Sequence, residues 1–379
     1  MKTLYIAATA LQLIAVLNIR VNMNGKKGDL IIHEKSVLNS HYIKERIVEK
    51  DLFDRVFLFK DYDSRLNTIF TGRNSFCSYL KLVYQKHFSK LDINDYILED
   101  EKIVLEEYDE AFCFNKKFLG ILGVYPNIKI SLIDDGVGSY NDGIRRFCKN
   151  VDKIYLYKPE FAAYYEEYQN KFRTIPALDA KNDTFKNLLN YIWSYKDIIE
   201  FPNNSIVVFD SPWRVTPKYF YVFPKFFREK VLSKTKLYKK YANDQKAKEF
   251  FVDSIKTIQG ESKNVIVKMH PRSSGAIKQL YLDKGFNVLE NASIPWEIIS
   301  LNLQSSNMLL VSMLSTVSLS MSMYFRNTNF RYKSVFLYEL ALRVADVQSP
   351  KETISFLERI LPEVEDLKVI KNDAELREL

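Results

Sequence analysis

The sequence predicts an α/β protein made of two alternating halves, each a mononucleotide-binding-like domain, facing a common cleft. Three observations predict it. Apolar runs of strand length alternate with helical stretches, once in each half of the chain. The 379 residues suit two domains at roughly 100–200 residues each. Two polar islands, Asp134-Asp135-Gly136 and His270-Pro271-Arg272, each follow a run of buried-strand character. Polar groups at the carboxyl ends of such strands point to where open α/β sheets bind ligands. A single large α/β domain is the alternative arrangement.

In the first half, strands are expected at Thr3–Ala8, Asp29–His33, Arg55–Phe59, Ala111–Phe114, Lys129–Ile133 and Lys153–Tyr157. Helical stretches intervene, notably Leu11–Ile19 and Phe76–Tyr84. Buried strands separated by helices favour a parallel sheet covered on both faces. From Pro159 to Asp197 the pattern turns aromatic and helical, with Phe161, Tyr164, Tyr165, Tyr168 and Phe172 as packing surface. A second series begins at Ser205–Phe209 and continues through Val265–Met269, Phe286–Leu289 and Met308–Leu314, with strand-like runs near Phe330 and Val344. The expected division is therefore 1–157, a helical linker over 158–200, and a second domain over 201–348. Helices over 349–379 close the chain and are candidates to pack back on the first domain.

The formal charge of +8, from 55 basic and 47 acidic residues, permits an anionic ligand or surface without selecting one. Much of the excess lies in Lys225–Lys248, read either as a solvated helical face or as a contact for an anionic membrane surface. Neither zinc-finger spacing nor an aromatic RNA-binding signature accompanies it, so nucleic acid is not expected as a partner. Cys77, Cys113 and Cys148 are too scattered for a disulfide framework or a thiolate metal cluster. The apolar stretch Leu4–Leu17 is too short to span a bilayer and reads as an opening strand and helix, so a cytoplasmic protein is expected.

The islands carry the chemistry. A glycine after two acids lets the chain turn sharply, and Asp135 can take a proton from an alcohol while Asp134 orients it or raises its proton affinity. An ordinary Asp-Gly turn explains the tripeptide equally well. His270 can donate to a phosphate or leaving oxygen, and Arg272 offers a planar cationic fork. His33, His41 and His87 have no comparable setting, and no zinc arrangement emerges. Ser315-Thr316 is expected to open a helix whose hydroxyls and free amides suit a phosphate, or to form a plain serine cap. Asn291 to Glu297 is a second ligand edge, or a normal helix start with a buried aromatic. A phosphate loop with its lysine is absent, and Ala7-Ala8-Thr9-Ala10-Leu11-Gln12 replaces any glycine-rich dinucleotide fingerprint. ATPase and NAD-dependent chemistry are disfavoured.

Taken in order, Thr9-Ala10-Leu11-Gln12-Leu13, Asp134-Asp135-Gly136, His270-Pro271-Arg272 and Ser315-Thr316 resemble the bacterial sialyltransferases of glycosyltransferase family 52, which include lipooligosaccharide and streptococcal capsule enzymes. The resemblance implies the GT-B type of fold, with two Rossmann-like domains: an acceptor-side domain over 1–157 and a CMP-sugar-binding domain over 201–348. It implies a CMP-sialic acid donor, a galactose-terminated glycan acceptor, inversion at the transferred carbon, and neither metal nor cofactor. By the same resemblance Asp135 deprotonates the acceptor, with Asp134 as the alternative base, and His270 with Arg272, Ser315 and Thr316 holds the donor phosphate. Pro271, Ile294, Pro295, Trp296 and Glu297 border the cytidine, while Gln12, Gly136 and Asp210 line the acceptor or donor cleft. Some relatives carry the base on the segment matching Phe209-Asp210-Ser211-Pro212-Trp213. Trp213 stands where they have an acid, which favours the Asp-Asp-Gly segment. A polysialyltransferase, another GT-B sugar transferase and a noncatalytic acidic-glycan-binding protein are the alternatives. A peripheral contact at the inner face of the cell membrane is left open.

Overall fold

The computed structural model describes residues 2–34, 37–60, 93–99, 101–114, 119, 122, 125–196, 200–211, 236–260, 263–270, 273, 275–289, 293–305, 307–344 and 351–379. The expected helix over 76–84, Cys77, His87, Trp213, Pro271, Arg272, Asn291 and residues 225–235 of the basic region lie outside the described residues. Two compact units make up the chain, Met1–Asp197 and Ile198–Leu379. Each contains a parallel β-sheet flanked by helices, a Rossmann-like α/β domain as predicted.

In the first unit the strands are β1 (Thr3–Ala7), β2 (Asp29–His33), β3 (Arg55–Phe59), β4 (Glu110–Cys113), β5 (Lys129–Ile133), β6 (Lys153–Leu156) and β7 (Phe172–Thr174). They lie in the order β3-β2-β1-β4-β5-β6-β7, all parallel. Every residue of β1 and β2 is buried, because a central parallel strand is covered on both faces. Leu4 and Ile6 enter one core with Ile31, Phe57, Phe59, Ala111 and Cys113. On the opposite face Tyr5 stacks on Phe112 at 4.9 Å between ring centroids. Helix α1 (Ala10–Asn22) follows β1, capped by Thr9, whose hydroxyl accepts the Gln12 amide. Helix α2 (Ser40–Glu49) packs on β2 and β3. Two short helices, α3 (Val137–Tyr140) and α4 (Arg145–Cys148), link β5 to β6.

The amino end of this sheet is held by a charge cluster. Asp29, fully buried at the start of β2, accepts from Arg55 at 2.6 and 3.2 Å and from the Tyr108 hydroxyl. Burial alone would raise its pKa, yet the Arg55 and Tyr108 hydrogen bonds prevail and hold the carboxyl below its ordinary range.

The second unit repeats the winding. Strands β8 (Ser205–Phe209), β9 (Val265–Lys268), β10 (Asn287–Val288), β11 (Asn307–Ser312), β12 (Arg331–Phe336) and β13 (Leu367–Val369) lie in the order β10-β9-β8-β11-β12-β13, all parallel. Helix α6 (Lys236–Gln259) presents Ala247, Phe251, Ile255 and Ile258 to the core at helical spacing. It is preceded in the chain by α5 (Asp183–Ile192) of the first unit. Helices α7 (Gly275–Asp283), α8 (Trp296–Asn302), α9 (Thr316–Tyr324), α10 (Tyr338–Val344), α11 (Lys351–Ile360) and α12 (Asp373–Arg377) complete the unit.

Three expectations are corrected. The run near Val344 is the end of helix α10, not a strand, because Leu340 and Ala341 reach the core at helical rather than alternating spacing. The segment 158–200, expected as a helical linker, carries among its described residues an edge strand of the first sheet, β7, and one long helix, α5. Its aromatics pack as turns and a strand, with Tyr164 stacked on Phe172 at 5.6 Å. Beyond 349 the chain is not helical throughout: β13 pairs with β12 and extends the second sheet, so this segment belongs to the second unit.

Candidate active site

In each sheet the strand order reverses beside the first strand, between β1 and β4 in one unit and between β8 and β11 in the other. Loops leaving the carboxyl ends diverge there and open a place for a ligand.

In the first unit, the loop after β1 and the turn after β5 meet at Asp135. Its Oδ1 accepts from Gln12 Nε2 at 2.6 Å and from Thr9 Oγ1 at 3.2 Å. Gln12 is itself held, its Oε1 accepting the Ala8 amide at 2.7 Å. The Asp135 amide donates to Ser139 Oγ at 2.7 Å, which ties the turn to α3. Gly136 makes this turn, at φ 86° and ψ −155°, a region that a side chain excludes. Asp135 remains partly exposed, and among the described residues its Oδ2 has no hydrogen bond. Burial raises its carboxyl to about 6, with the Gln12 and Thr9 hydrogen bonds opposing. An acid so tuned is a base near neutral pH.

Asp134 points inward and is 0% exposed. One oxygen accepts the Gly136 amide at 2.8 Å, and the other accepts the Tyr140 hydroxyl and the Tyr157 amide, the latter at 3.2 Å. Burial raises it to about 7 against these three donors. Asp134, expected as an orienting group or an alternative base, fastens the turn from beneath, because the strand pleat sends neighbouring side chains to opposite sides.

In the second unit His270 follows β9, partly exposed, and its carbonyl accepts the Ser273 amide at 2.9 Å. Asp210, expected to line a cleft, is instead 3% exposed at the end of β8. Its Oδ1 accepts from Lys248 Nζ and from the Tyr281 hydroxyl, the latter at 2.9 Å, and its Oδ2 accepts the Ser273 hydroxyl. Lys248, expected within a solvated basic run, is 3% exposed and donates to Tyr281 at 2.6 Å as well. Burial lowers Lys248 to about 8, with Asp210 opposing.

Ser315 caps α9, accepting the Val317 amide at 3.3 Å, and both Ser315 and Thr316 keep partial exposure. Of the residues expected to border the cytidine, three have buried side chains. Trp296 is 2% exposed and packs edge-on against Phe209 at 4.9 Å. Glu297 is buried, with Lys268 opposite in charge and a hydrogen bond to Ser320. Ile294 is buried too, which leaves Pro295 partly exposed. Burial lowers Lys268 to about 8.

Sequence reasoning missed Lys248, Tyr281 and Ser273 as partners of Asp210. A signal for the lysine existed: Lys248 falls three residues before Phe251 and four before Val252, on the apolar face of α6. Eight other basic residues in that run obscured it. Nothing local marks Ser273 or Tyr281.

No family model matches the chain, and no curated protein matches it. Solved structures similar to it include an alpha/beta-galactoside alpha-2,3-sialyltransferase from the luminous marine bacterium Photobacterium phosphoreum. That likeness has a TM-score of 0.47 at 11% identity, over 97% of this chain and 98% of the other. A putative UDP-N-acetylglucosamine 2-epimerase from Listeria monocytogenes is similar with a TM-score of 0.47 at 9% identity, over 97% and 89%. The N-terminal domain of trehalose-6-phosphate phosphatase from Candida albicans has a TM-score of 0.35 at 9% identity, over 97% and 93%. At TM-scores below 0.5 these likenesses carry no argument about this chain.

Proposed function

We propose that this chain is an inverting sialyltransferase of the GT-B type, related to glycosyltransferase family 52, moving sialic acid from CMP-sialic acid to a terminal galactoside. The acceptor is a capsule or surface oligosaccharide and the linkage α-2,3. The single observation that carries the reading is Asp135, a partly exposed acid raised to about 6, with one oxygen fixed by Gln12 and Thr9. The ordered motifs around it supply the donor class.

In this reading Asp135 Oδ2 takes the proton of the acceptor hydroxyl as its oxygen attacks the anomeric carbon. A glycosidic bond forms, the bond to the phosphate oxygen breaks, and CMP leaves from the opposite face, which inverts the centre. His270, Arg272, Ser315 and Thr316 offset the charge that gathers on the departing phosphate. Pro295 borders the nucleotide.

A transfer assay with CMP-sialic acid, lactose and longer galactosides tests this, with linkage read by NMR. Asp135→Asn is expected to lower kcat by ~10²–10⁴-fold, the usual range for proton-transfer catalysis. Turnover of a UDP-sugar instead of the CMP donor overturns the donor assignment, and full activity in the variant removes the base.

A further inference from the structure

The loop that carries His270 is tied to the protein interior by one polar chain. Its first link is the Ser273 amide, which donates to the His270 carbonyl at 2.9 Å. Its second is the Ser273 hydroxyl, which donates to Asp210 Oδ2. The third is at Oδ1 of the same carboxylate, where Lys248 Nζ and the Tyr281 hydroxyl converge. Lys248 also lies 4.2 Å from the centre of the Tyr281 ring. Four elements therefore meet at one carboxylate: β8 through Asp210, α6 through Lys248, α7 through Tyr281, and the His270 loop through Ser273. The Asp210 amide adds a fifth tie, donating to the Lys268 carbonyl of β9 at 3.0 Å.

Stability alone is a poor reason for this arrangement. A buried ion pair seldom outperforms well-packed apolar side chains, because both charges lose their water. What the carboxylate provides, and a leucine cannot, is a second oxygen aimed at the loop. Lys248 and Tyr281 fix that oxygen by holding the first.

We propose that Lys248, Tyr281 and Asp210 form a buried brace that acts through Ser273 to position His270, making all four positioning residues for the group that meets the donor phosphate. The part assigned to His270 rests on the sialyltransferase reading, whereas the bracing itself does not. A preorganised donor binds a developing charge without rearranging, so a loosened loop weakens donor binding and the charge-stabilising step together.

Two measurements on the full chain separate these statements. The first is amide hydrogen exchange in peptides that span His270 and Ser273. Ser273→Ala removes the loop's hydroxyl link and leaves the Lys248–Asp210 pair intact. It is expected to speed exchange there about ten-fold, consistent with losing one hydrogen bond to a charged group, while β8 and α6 exchange as before. Lys248→Met is expected to give the same local effect. Ser273→Thr retains a hydroxyl and is expected to restore protection. Unchanged exchange in Ser273→Ala overturns the brace whatever the protein's reaction. The second measurement is steady-state kinetics with CMP-sialic acid: Ser273→Ala should raise the donor KM about ten-fold, with Ser273→Thr near the parent value. If His270→Ala abolishes transfer while Ser273→Ala leaves KM and kcat unaltered, the positioning role is overturned. Transfer that survives His270→Ala removes the functional reading and leaves the exchange result to decide the brace.

Discussion

At Asp135 two effects oppose each other. Burial favours the protonated acid, while the Gln12 and Thr9 hydrogen bonds favour the carboxylate, and burial prevails to leave the group at about 6. The acidic limb of kcat/KM is therefore expected near pH 6. Gln12→Met removes the shorter of the two bonds and should move that limb upward by about one unit, a hydrogen bond's worth of charge stabilisation. Rates at pH 8 should recover; an equal loss at every pH would mean that Gln12 acts elsewhere. The same balance has a cost in stability. A carboxyl raised in the fold binds its proton there at pH values where the unfolded chain has released it. Folding stability from this group is full below about pH 4 and falls as pH rises toward 6. Asp135→Asn escapes that loss and should be more stable than the parent by about 1–2 kcal/mol at pH 7.5, with the difference gone at pH 4. Urea titrations at the two pH values check this. Asp135 was readable from sequence as a group at a strand end and Asp134 as a group that orients it, but the full burial of Asp134 was not. Adjacent residues leave a strand on opposite sides, and which side faces the core depends on Tyr140 and Tyr157.

Among the elements, those with unbroken apolar runs were legible. Asp29–His33, Arg55–Phe59 and Ser205–Phe209 stand where their residues place them, since only a strand covered on both faces uses such a run. The aromatic stretch after Pro159 was not legible, because helical spacing of Tyr and Phe is compatible with turns that stack the same rings, as Tyr164 and Phe172 do. The amino ends of β2 and β3 carry a testable element-scale claim. Arg55→Met leaves the Asp29 carboxylate buried without its guanidinium, and breaking such a pair costs about 3–5 kcal/mol. Chemical denaturation should show this loss. Transfer kinetics should not change at permissive temperature, because the cluster sits at the strand ends opposite to Asp135. A lowered kcat in the folded variant would contradict that separation.

Over the whole chain, one winding occurs twice, each time around its own apolar core. Heat unfolding is expected to depart from a single two-state transition, the usual behaviour of chains with more than one core. CMP should raise the midpoint of one component only, by the linkage of a ligand to the folded form that binds it. Differential scanning calorimetry with and without CMP reads this directly, and a titration without any shift would count against the nucleotide assignment. By itself the sequence determined the α/β class, the position of most central strands, and the two polar islands at strand ends, because backbone periodicity and burial act within a few residues. Tertiary structure alone decided which polar groups keep exposure and which face the core. Lys248, Asp210, Asp134, Trp296 and Glu297 all turned inward, since each is satisfied or covered by residues from other elements. Desolvation is set by what packs around a group, and no run of neighbours in the chain contains that information.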